Sequence, residues 1–342
     1  MSKQFSRMLD RLLDGESLSE SQASELMHKL AEGELPEALA GALLAGLRAK
    51  GETAEEIRGF AGAMRELALH PDIPDGPPTV DTVGTGGDGS GSLNLSTGTG
   101  LLAAACGARV VKHGNRSVSS RSGSADMLEK LGMPLPLHEK EAVACLAATN
   151  FTFLFAPAYH PAMKAVVPVR GALSVRTVFN MLGPLTNPAA PPFQLIGAWS
   201  PAAARLMAAA LAGMPIERAF VVHGAPGWDE ATPVGEFALL DVVPGKVTES
   251  VRTPEDYGVA RCAAAQLTGG DAAHNAAELI RVFEGEDRGA HRDALLMGTS
   301  LVLEMQGSAI DARQGVEMAA AALDDGSASG FLRRLQQHFR AA

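Results

Sequence analysis

Apolar positions in the first 70 residues or so recur at helical spacing. Leucines lie at helical intervals within residues 26–30 and again within 39–47, as expected for helices with one buried face. Two residue pairs have the spacing of a capping box, which satisfies the free N–H groups of a first helical turn: Ser19 with Gln22, and Thr53 with Glu56. The pattern predicts a small all-helical domain over residues 1–72.

The pattern changes after a Pro-rich stretch at residues 70–78. Short apolar runs then alternate with longer segments rich in Ala and Leu, and the runs lie at 80–83, 108–111, 151–155, 194–199 and 219–222. Such alternation is typical of a parallel sheet covered by helices on both faces. Residues 237–247 suggest a hairpin, and helices dominate from Asp271 onward. We therefore expect an α/β fold, with residues 73–342 forming a larger domain around a mostly parallel central sheet.

Composition and charge limit the classes of molecule that the protein is expected to bind. The chain has 342 residues, of which 46% are hydrophobic, and its formal net charge is −10. A chain this acidic is a poor binder of nucleic acid or of an anionic membrane, because both require clustered cations. No apolar run approaches the roughly 18 residues of a membrane span, and three widely spaced cysteines suit a reducing compartment. We expect a cytoplasmic protein that binds neither nucleic acid nor a membrane.

The first candidate site is the glycine loop, residues 84–97, which follows the first predicted strand. Five glycines lie between positions 84 and 91, and the loop enters an apolar helix near Ser96 and Thr97. Glycines let successive backbone N–H groups point at one anion, and a helix N-terminus adds further free N–H groups. Parallel sheets bind ligands beyond the carboxyl ends of their strands. The loop is therefore a predicted phosphate site.

A dinucleotide site is an alternative interpretation of the same loop. Gly84, Gly86 and Gly89 satisfy G-x-G-x-x-G, but that motif also needs an acidic residue about 20 positions further on to hold the ribose. At the end of the next predicted strand the chain instead has Lys112 and His113. A cation there favours a second phosphate over a dinucleotide.

The second candidate is the basic loop, residues 112–124, which follows the next strand. It holds three cations, one histidine, five serines and an asparagine, with almost nothing to bury. A solvated loop can have this composition. Next to the glycine loop, however, lysine can neutralise phosphate charge and serine hydroxyls can donate to phosphate oxygens. The two loops together are expected to hold a ligand with several phosphates.

Two further segments suggest a metal and an aromatic acid. Asp229 and Glu230, the acidic pair, follow an apolar strand; carboxylates in an acidic protein are commonly just solvated. Opposite two phosphate loops, they fit Mg²⁺, which is held by hard oxygen ligands while it contacts substrate phosphates. Around residues 153–188, Arg170 lies among apolar and aromatic residues. Its guanidinium would suit the carboxylate of a flat aromatic acid, although a buried strand and a Pro-bounded connection is the plainer interpretation.

These segments, in this order, resemble the anthranilate phosphoribosyltransferase family over nearly the whole chain. The matching motifs are Gly84-Thr-Gly-Gly-Asp88 with Asn94-x-Ser-Thr97, Lys112-His-Gly-Asn-Arg116 with its serines, Asp229-Glu230 and Pro184-Leu-Thr-Asn-Pro188. The resemblance implies a fold of the nucleoside phosphorylase and phosphoribosyltransferase type. It also implies transfer of a phosphoribosyl group from phosphoribosyl pyrophosphate to anthranilate in tryptophan biosynthesis. A homodimer, formed through the helical domain together with a returning segment at about 165–185, is implied as well.

The resemblance also assigns roles by motif position. The phosphoribosyl pyrophosphate contacts would be Gly84, Gly87, Asp88, Ser92, Asn94, Leu95, Ser96, Thr97, Lys112, Ser120 and Ser124. Magnesium, as two ions, would be held by Ser96, Asp229 and Glu230, and anthranilate by Gly84, Asn115 and Arg170. The catalytic residues would be His113, Arg170, Asp229 and Glu230.

Some positions depart from the family pattern, and two rival functions stay open. Gly98 and Gly100 stand where Ala or Ser is common, and residues 297–300 also differ. We expect these changes to affect local packing and not chemistry. The rivals are a pyrimidine nucleoside phosphorylase, which has a related fold, and a non-catalytic paralogue that binds nucleic acid. The motifs of the glycine and basic loops fit the transferase better than the phosphorylase, and the negative net charge disfavours the paralogue.

Overall fold

The computed structural model describes residues 2–117 and 121–340, and the N-terminal part is helical, as the leucine spacing predicts. Four helices form there: α1 (Ser2–Leu13), α2 (Glu20–Glu32), α3 (Glu37–Lys50) and α4 (Ala54–Glu66). Both predicted capping boxes are present at the starts of α2 and α4. Gly33 ends α2 in the left-handed region at φ 68°, a conformation that glycine adopts without strain.

A seven-stranded sheet follows, and its strands match the predicted apolar runs. They are β1 (Thr79–Gly84), β2 (Arg109–Gly114), β3 (Phe151–Phe155), β4 (Phe193–Gly197), β5 (Arg218–Gly224), β6 (Phe237–Val243) and β7 (Lys246–Arg252). The order across the sheet is β3-β2-β1-β4-β5-β6-β7. The first five strands along the chain pair in parallel, and β6 and β7 form the predicted hairpin at one edge. The expectation of a helical domain and a mostly parallel α/β domain is confirmed.

Helices cover both faces of this sheet. They are α5 (Leu95–Ala105), α6 (Ser124–Lys130), α7 (Glu139–Thr149), α8 (Ala156–Tyr159), α9 (Val167–Leu173), α10 (Phe179–Leu182), α11 (Pro201–Leu211), α12 (Ala272–Phe283), α13 (Ala290–Met305), α14 (Ala312–Asp324) and α15 (Ser327–Arg340). Short 3-10 helices lie at Pro161–Ala165, Gly183–Leu185, Pro254–Tyr257 and Ala264–Leu267. In the described residues, no helix has the length and apolar character needed to cross a membrane.

The segment at 165–185 returns to the N-terminal helices. Gly41 of α3 faces α9 so closely that an added Cβ would lie 3.8 Å from Leu173 Cδ2. Arg65 of α4 donates from Nε to the Leu185 carbonyl at 2.8 Å. Apolar residues of both segments belong to one buried cluster, which also includes Ile196 and Val221 on one face of the sheet. The returning segment therefore packs against α3 and α4.

Two glycines at positions that depart from the family pattern, Gly98 and Gly298, lie where α5 packs against α13, whereas Gly100 faces Thr82 of β1. A Cβ on Gly98 would come within 2.7 Å of Leu295 Cδ2, and a Cβ on Gly298 within 2.3 Å of Thr99 Oγ1. Real Cβ atoms do not approach neighbours so closely, so a larger residue at either position would require the facing side chain, Leu295 or Thr99, to shift.

Candidate active site

The glycine loop, the basic loop and the acidic pair lie at one edge of the sheet. Strands β2, β1, β4 and β5 are neighbours and run in parallel, so the segments after them emerge on the same side. The chain that carries Asp229 passes over the end of β4. A Cβ on Gly197, the last residue of β4, would lie only 1.6 Å from the Asp229 carbonyl oxygen. A glycine at this point lets a segment after β5 reach the loop after β1.

Asp229 holds the start of the glycine loop. Its Oδ2 accepts the Gly86 N–H at 2.6 Å and the Thr85 hydroxyl at 3.3 Å, while its own N–H donates to Asp88 Oδ2 at 3.2 Å. Gly84 leaves room for this carboxylate, since a Cβ there would lie 2.6 Å from Asp229 Oδ2. Burial, together with the charge of Asp88, raises the pKa of Asp229 to about 7.

Glu230 holds the other end of the glycine loop. Its Oε1 accepts the Ser96 N–H at 3.0 Å, in the first turn of α5, where helix N–H groups lack intrahelical partners. Burial of the carboxylate and the charge of Asp229 raise the pKa of Glu230 to about 8, against the opposing effect of Lys112. The carboxylates of Asp229 and Glu230 thus accept hydrogen bonds from two N–H groups, of Gly86 and Ser96, in the loop that the sequence predicts to bind an anion.

Lys112 lies beneath the acidic pair and is buried. Its Nζ donates to the Thr82 carbonyl, and burial lowers its pKa while the Asp81, Glu230 and Asp229 carboxylates oppose that shift. Its charge therefore acts within the protein, on the acidic pair. The structure does not place Nζ out in the basic loop, where the sequence analysis considered it.

Asp81 is a buried polar residue that the sequence analysis did not single out. Its Oδ2 accepts from Asn187 Nδ2 at 2.9 Å and its Oδ1 from the His113 N–H at 3.2 Å. Burial raises the pKa of Asp81 to about 6, and Lys112 opposes this shift. A carboxylate inside the apolar run 80–83 was the available signal, since such groups are rarely buried without a partner.

His113 is a buried, neutral imidazole. Its Nδ1 lies 3.2 Å from the Gly183 carbonyl, which can only accept, so Nδ1 carries the proton. Nε2 is buried and has no hydrogen-bond partner in the part of the chain that the structure describes. Burial, with the neighbouring His160 ring at 5.1 Å, lowers the pKa of His113 to about 3. A weak base of this kind suits contact with a substrate better than strong proton abstraction.

The basic loop contacts the glycine loop through Asn94. Its Nδ2 donates to the Ser122 carbonyl at 3.1 Å, and its Oδ1 accepts the Ser122 hydroxyl at 2.9 Å. The Ser124 hydroxyl donates to the Asn115 carbonyl at 3.1 Å, which closes the basic loop on itself. Ser120, also predicted to contact the pyrophosphate, lies outside the described residues.

The remaining candidates are less tightly connected. Leu95 and Thr97 are buried in the first turn of α5, and Ser92 Oγ lies 3.2 Å from Ser90 Oγ. Arg170 stacks over the Phe179 ring at 5.1 Å, and among the described residues no hydrogen bond joins its guanidinium to another candidate. Arg176 of the returning segment instead donates to the carbonyl of Gly87 in the glycine loop.

The carboxylates of the site fit a magnesium ion that takes its other ligands from a substrate. Burial, together with repulsion between neighbouring carboxylates, raises the pKa of Asp229 and of Glu230, and Lys112 is a cation beside them. A divalent cation would relieve that repulsion. Across residues 2–117 and 121–340, no three acidic, His or Cys side chains are arranged to hold a metal by themselves. The remaining ligands would therefore have to be substrate oxygens and water.

Comparison with known proteins identifies the family. The model of the glycosyl transferase family a/b domain matches residues 76–329, and that of its helical bundle domain matches residues 6–68. The anthranilate phosphoribosyltransferase of Rubrobacter xylanophilus is 44% identical over 320 residues, which cover 94% of this chain and 93% of that protein.

Solved structures agree. Anthranilate phosphoribosyltransferase from Thermus thermophilus has 41% identity and a TM-score of 0.91 over 97% of this chain and 99% of that one. The Saccharomyces cerevisiae enzyme, solved in complex with PRPP and Mg, shares the fold, with a TM-score of 0.90 at 24% identity over 100% of this chain and 99% of that one. With both domain models and close relatives matched along nearly its full length, the chain belongs to the anthranilate phosphoribosyltransferase family.

Proposed function

We propose that this chain catalyses Mg²⁺-dependent transfer of the 5-phosphoribosyl group from phosphoribosyl pyrophosphate to the amine of anthranilate, releasing pyrophosphate, in tryptophan biosynthesis. The observation that carries the proposal is the contact of the acidic pair with both ends of the glycine loop, at Gly86 and Ser96. This contact brings anion-binding N–H groups and metal-binding carboxylates to one place, as a sugar pyrophosphate with bound Mg²⁺ requires. The family to which the chain belongs supports the same reaction.

The protein's part in catalysis is mainly to stabilise the leaving group. As the bond from the anomeric carbon to pyrophosphate breaks, negative charge accumulates on the diphosphate. N–H groups of the glycine loop and of the first turn of α5 that the acidic pair does not occupy would donate to that charge. We assign Gly84, Gly87, Asp88, Ser92, Asn94, Leu95, Ser96, Thr97, Ser120 and Ser124 to this ligand, with Lys112 acting from beneath.

Magnesium would be held by Asp229, Glu230 and Ser96, with Asp88 beside them. When bound, the ion neutralises charge that develops on the leaving pyrophosphate. The raised pKa values of Asp229 and Glu230 support this assignment, because the acidic pair lacks enough positive charge without a cation. Two ions are part of the proposal, since a diphosphate offers oxygens for more than one.

Anthranilate would bind between Arg170, Asn115 and Gly84, with His113 alongside. The guanidinium of Arg170 would pair with the substrate carboxylate, and its stacking on Phe179 orients it for that role. An arylamine is neutral at pH 7, so attack requires no strong base. The low pKa of His113 supports a mechanism that depends on positioning.

We also propose a homodimer formed through the helical domain, in the cytoplasm. Leu13, Val167 and Val175 are 69%, 60% and 61% exposed, and all three belong to the N-terminal helices or the returning segment. Light scattering should give twice the mass of 35.5 kDa. A monomeric mass at micromolar concentration would contradict the dimer.

The function is tested by mixing the purified protein with phosphoribosyl pyrophosphate, Mg²⁺ and anthranilate. We expect loss of anthranilate fluorescence and stoichiometric release of pyrophosphate, both abolished by chelating the metal. Phosphorolysis of uridine is the parallel assay for the rival phosphorylase. Turnover of uridine without consumption of anthranilate would reject the proposal, and a salt-sensitive gel shift would favour the nucleic-acid-binding paralogue.

A further inference from the structure

Besides the glycine loop, the basic loop and the acidic pair, a fourth segment, residues 267–275, packs along the outer side of the glycine loop. The Leu93 N–H donates to the Leu267 carbonyl at 3.0 Å, and the Gly269 N–H donates to the Gly91 carbonyl at 2.8 Å. Ser92 and Thr268 form an antiparallel bridge between these contacts. The glycine loop is therefore held by the acidic pair on one side and by a short strand-like pairing on the other.

Asn275 connects the segment at residues 267–275 to the candidate site. It lies in the first turn of α12 and is only 2% exposed. Its Oδ1 accepts the Gly270 N–H at 2.7 Å, and its Nδ2 donates to Asn94 Oδ1 at 2.8 Å. A buried amide needs partners for both its oxygen and its nitrogen, and Asn275 has one on each side.

The contact with Asn275 fixes the orientation of the Asn94 amide. Asn94 Oδ1 accepts from both Asn275 Nδ2 and the Ser122 hydroxyl, and Asn94 Nδ2 donates to the Ser122 carbonyl. Turning the amide over would place Nδ2 against two donors and Oδ1 against an acceptor. Of the two hydrogens on Asn94 Nδ2, only one is donated to a partner among the described residues. The fixed amide therefore holds the second hydrogen in a defined direction within the glycine loop.

We propose that Asn275 is a positioning residue for the sugar pyrophosphate. It acts through Asn94, whose amide it orients as a donor to the ligand while Asn94 joins the glycine loop to the basic loop. This inference rests on the proposed function, because Asn94 is assigned to phosphoribosyl pyrophosphate. Loss of the Asn275 amide should weaken binding of that substrate and leave the affinity for anthranilate nearly unchanged.

The test substitution is Asn275→Asp, which keeps the size of the side chain and its acceptor for the Gly270 N–H. It replaces the donor to Asn94 Oδ1 with an oxygen, so the Asn94 amide must turn over or lose its contact. We expect the Kd for phosphoribosyl pyrophosphate with Mg²⁺, measured by calorimetry on the full chain, to rise about tenfold. The KM for anthranilate should change less than about twofold, since no anthranilate contact is altered.

Ala273→Asp is the matched control. Ala273 is exposed in the same turn of α12, so this change adds the same charge beside Asn275 without touching Asn94. Its Kd should stay within about twofold of the parent, because an exposed charge is screened. An equal rise in both variants would assign the effect to charge and overturn the proposal.

A second substitution separates positioning from a purely structural role. Ser122→Ala removes the other donor to Asn94 Oδ1. If Asn275 acts through Asn94, the double variant should bind about as weakly as Asn275→Asp alone, because both changes release the same amide. If the two rises in Kd multiply, the residues act independently and the inference fails.

The outcomes also separate this inference from the proposed function. A parent protein that does not bind phosphoribosyl pyrophosphate rejects the proposed function. If the parent binds phosphoribosyl pyrophosphate and a folded Asn275→Asp protein binds it with equal affinity, only the proposed role of Asn275 is rejected. Should Asn275→Asp fail to fold, Asn275→Ser replaces it, since serine is too short to reach Asn94. The same tenfold rise supports the role, and unchanged affinity overturns it.

Discussion

The glycine loop and the basic loop follow neighbouring strands, and both are polar, but they are held in different ways. The glycine loop is fixed along its backbone: Asp229 accepts from Gly86, Glu230 accepts from Ser96, and residues 267–269 pair with its outer side. Its N–H groups therefore have set directions before any ligand binds. This is the preorganisation that makes backbone donors effective in stabilising developing charge.

The basic loop is held through side chains, and two of its three cations, Arg116 and Lys112, already have protein partners. Arg116 forms a forked pair with Glu129 at 2.5 and 2.6 Å and also contacts Asp126 at 3.3 Å. Lys112 is buried and donates to the Thr82 carbonyl. Arg121 is exposed, and no partner for it exists among the residues described.

From this contrast we expect anion binding in this site to depend on backbone geometry more than on the number of cations. Glycines after a strand let successive N–H groups turn toward one anion, and the acidic pair fixes the direction of two of these groups. A cluster of Lys and Arg leaves open whether each charge faces a ligand or a carboxylate of the same protein.

The largest effect should come from replacing the acidic pair. The double substitution Asp229→Asn and Glu230→Gln removes the two carboxylates proposed to hold magnesium while keeping their shape. We expect kcat/KM to fall about 10²–10³-fold or more, as charge stabilisation of the leaving group is lost. Rates measured across a magnesium titration check this, and an unchanged kcat/KM at limiting magnesium would contradict the metal assignment.

The second prediction concerns pH and the stability of the protein without ligands. The folded pKa values, about 7 for Asp229 and about 8 for Glu230, exceed the ordinary 3.8 and 4.5, so the folded state holds these protons more tightly. The free energy of unfolding should therefore fall as pH rises from about 5 to 8. The slope is at most about 1.4 kcal/mol per pH unit for each group.

The double variant is the reference for this measurement. Denaturant unfolding of parent and variant at several pH values should give a stability difference that grows with pH in the variant's favour. A stability difference that is independent of pH would contradict the raised pKa values of Asp229 and Glu230.

The third prediction tests the space that Gly84 leaves for Asp229. In Gly84→Ala, the new Cβ would meet Asp229 Oδ2 at 2.6 Å and Cγ at 3.2 Å, which displaces the carboxylate from the Gly86 N–H. We expect kcat/KM to drop about 10- to 100-fold, because small misplacement at a reacting centre is costly. Gly62→Ala is the control, since that helical position opens to free space. It should keep full activity, and equal losses in both variants would contradict the steric argument.

The smallest effect is expected in the basic loop. Arg116→Gln removes a cation whose side chain is 44% exposed and paired with Glu129. We expect the KM for phosphoribosyl pyrophosphate to stay within about twofold and stability to change by less than about 1 kcal/mol, as for exposed ion pairs in general. Steady-state kinetics decide this. A tenfold rise in that KM would show that Arg116 faces the substrate and would remove the contrast between the loops.

Much of the fold could be predicted from the sequence, because apolar spacing reports which faces are buried. The helices before residue 72, five parallel strands and the hairpin at 237–247 follow from that spacing and from turn residues. The position of the site also follows, since strand ends of a parallel sheet meet at one edge. The role of each site residue was inferred from family motifs, and those roles remain proposals.

Long-range side-chain contacts could not be predicted in the same way. Asn275 meets Asn94 across 181 positions of sequence, and no local pattern marks that pair. The burial of Lys112 depends on strand register, and the glycines at 98 and 298 each leave room for a side chain of the opposite helix. Such features arise from packing between distant segments, whose partners a sequence pattern does not name.

The proposed function requires the glycine loop, the basic loop and the acidic pair to bind one diphosphate. A crystal structure of the protein with phosphoribosyl pyrophosphate and Mg²⁺ tests this requirement. We predict a diphosphate within hydrogen-bond distance of the glycine-loop N–H groups, with metal between its oxygens and the carboxylates of Asp229 and Glu230. A diphosphate bound elsewhere on the protein, or metal bound away from the acidic pair, would contradict it.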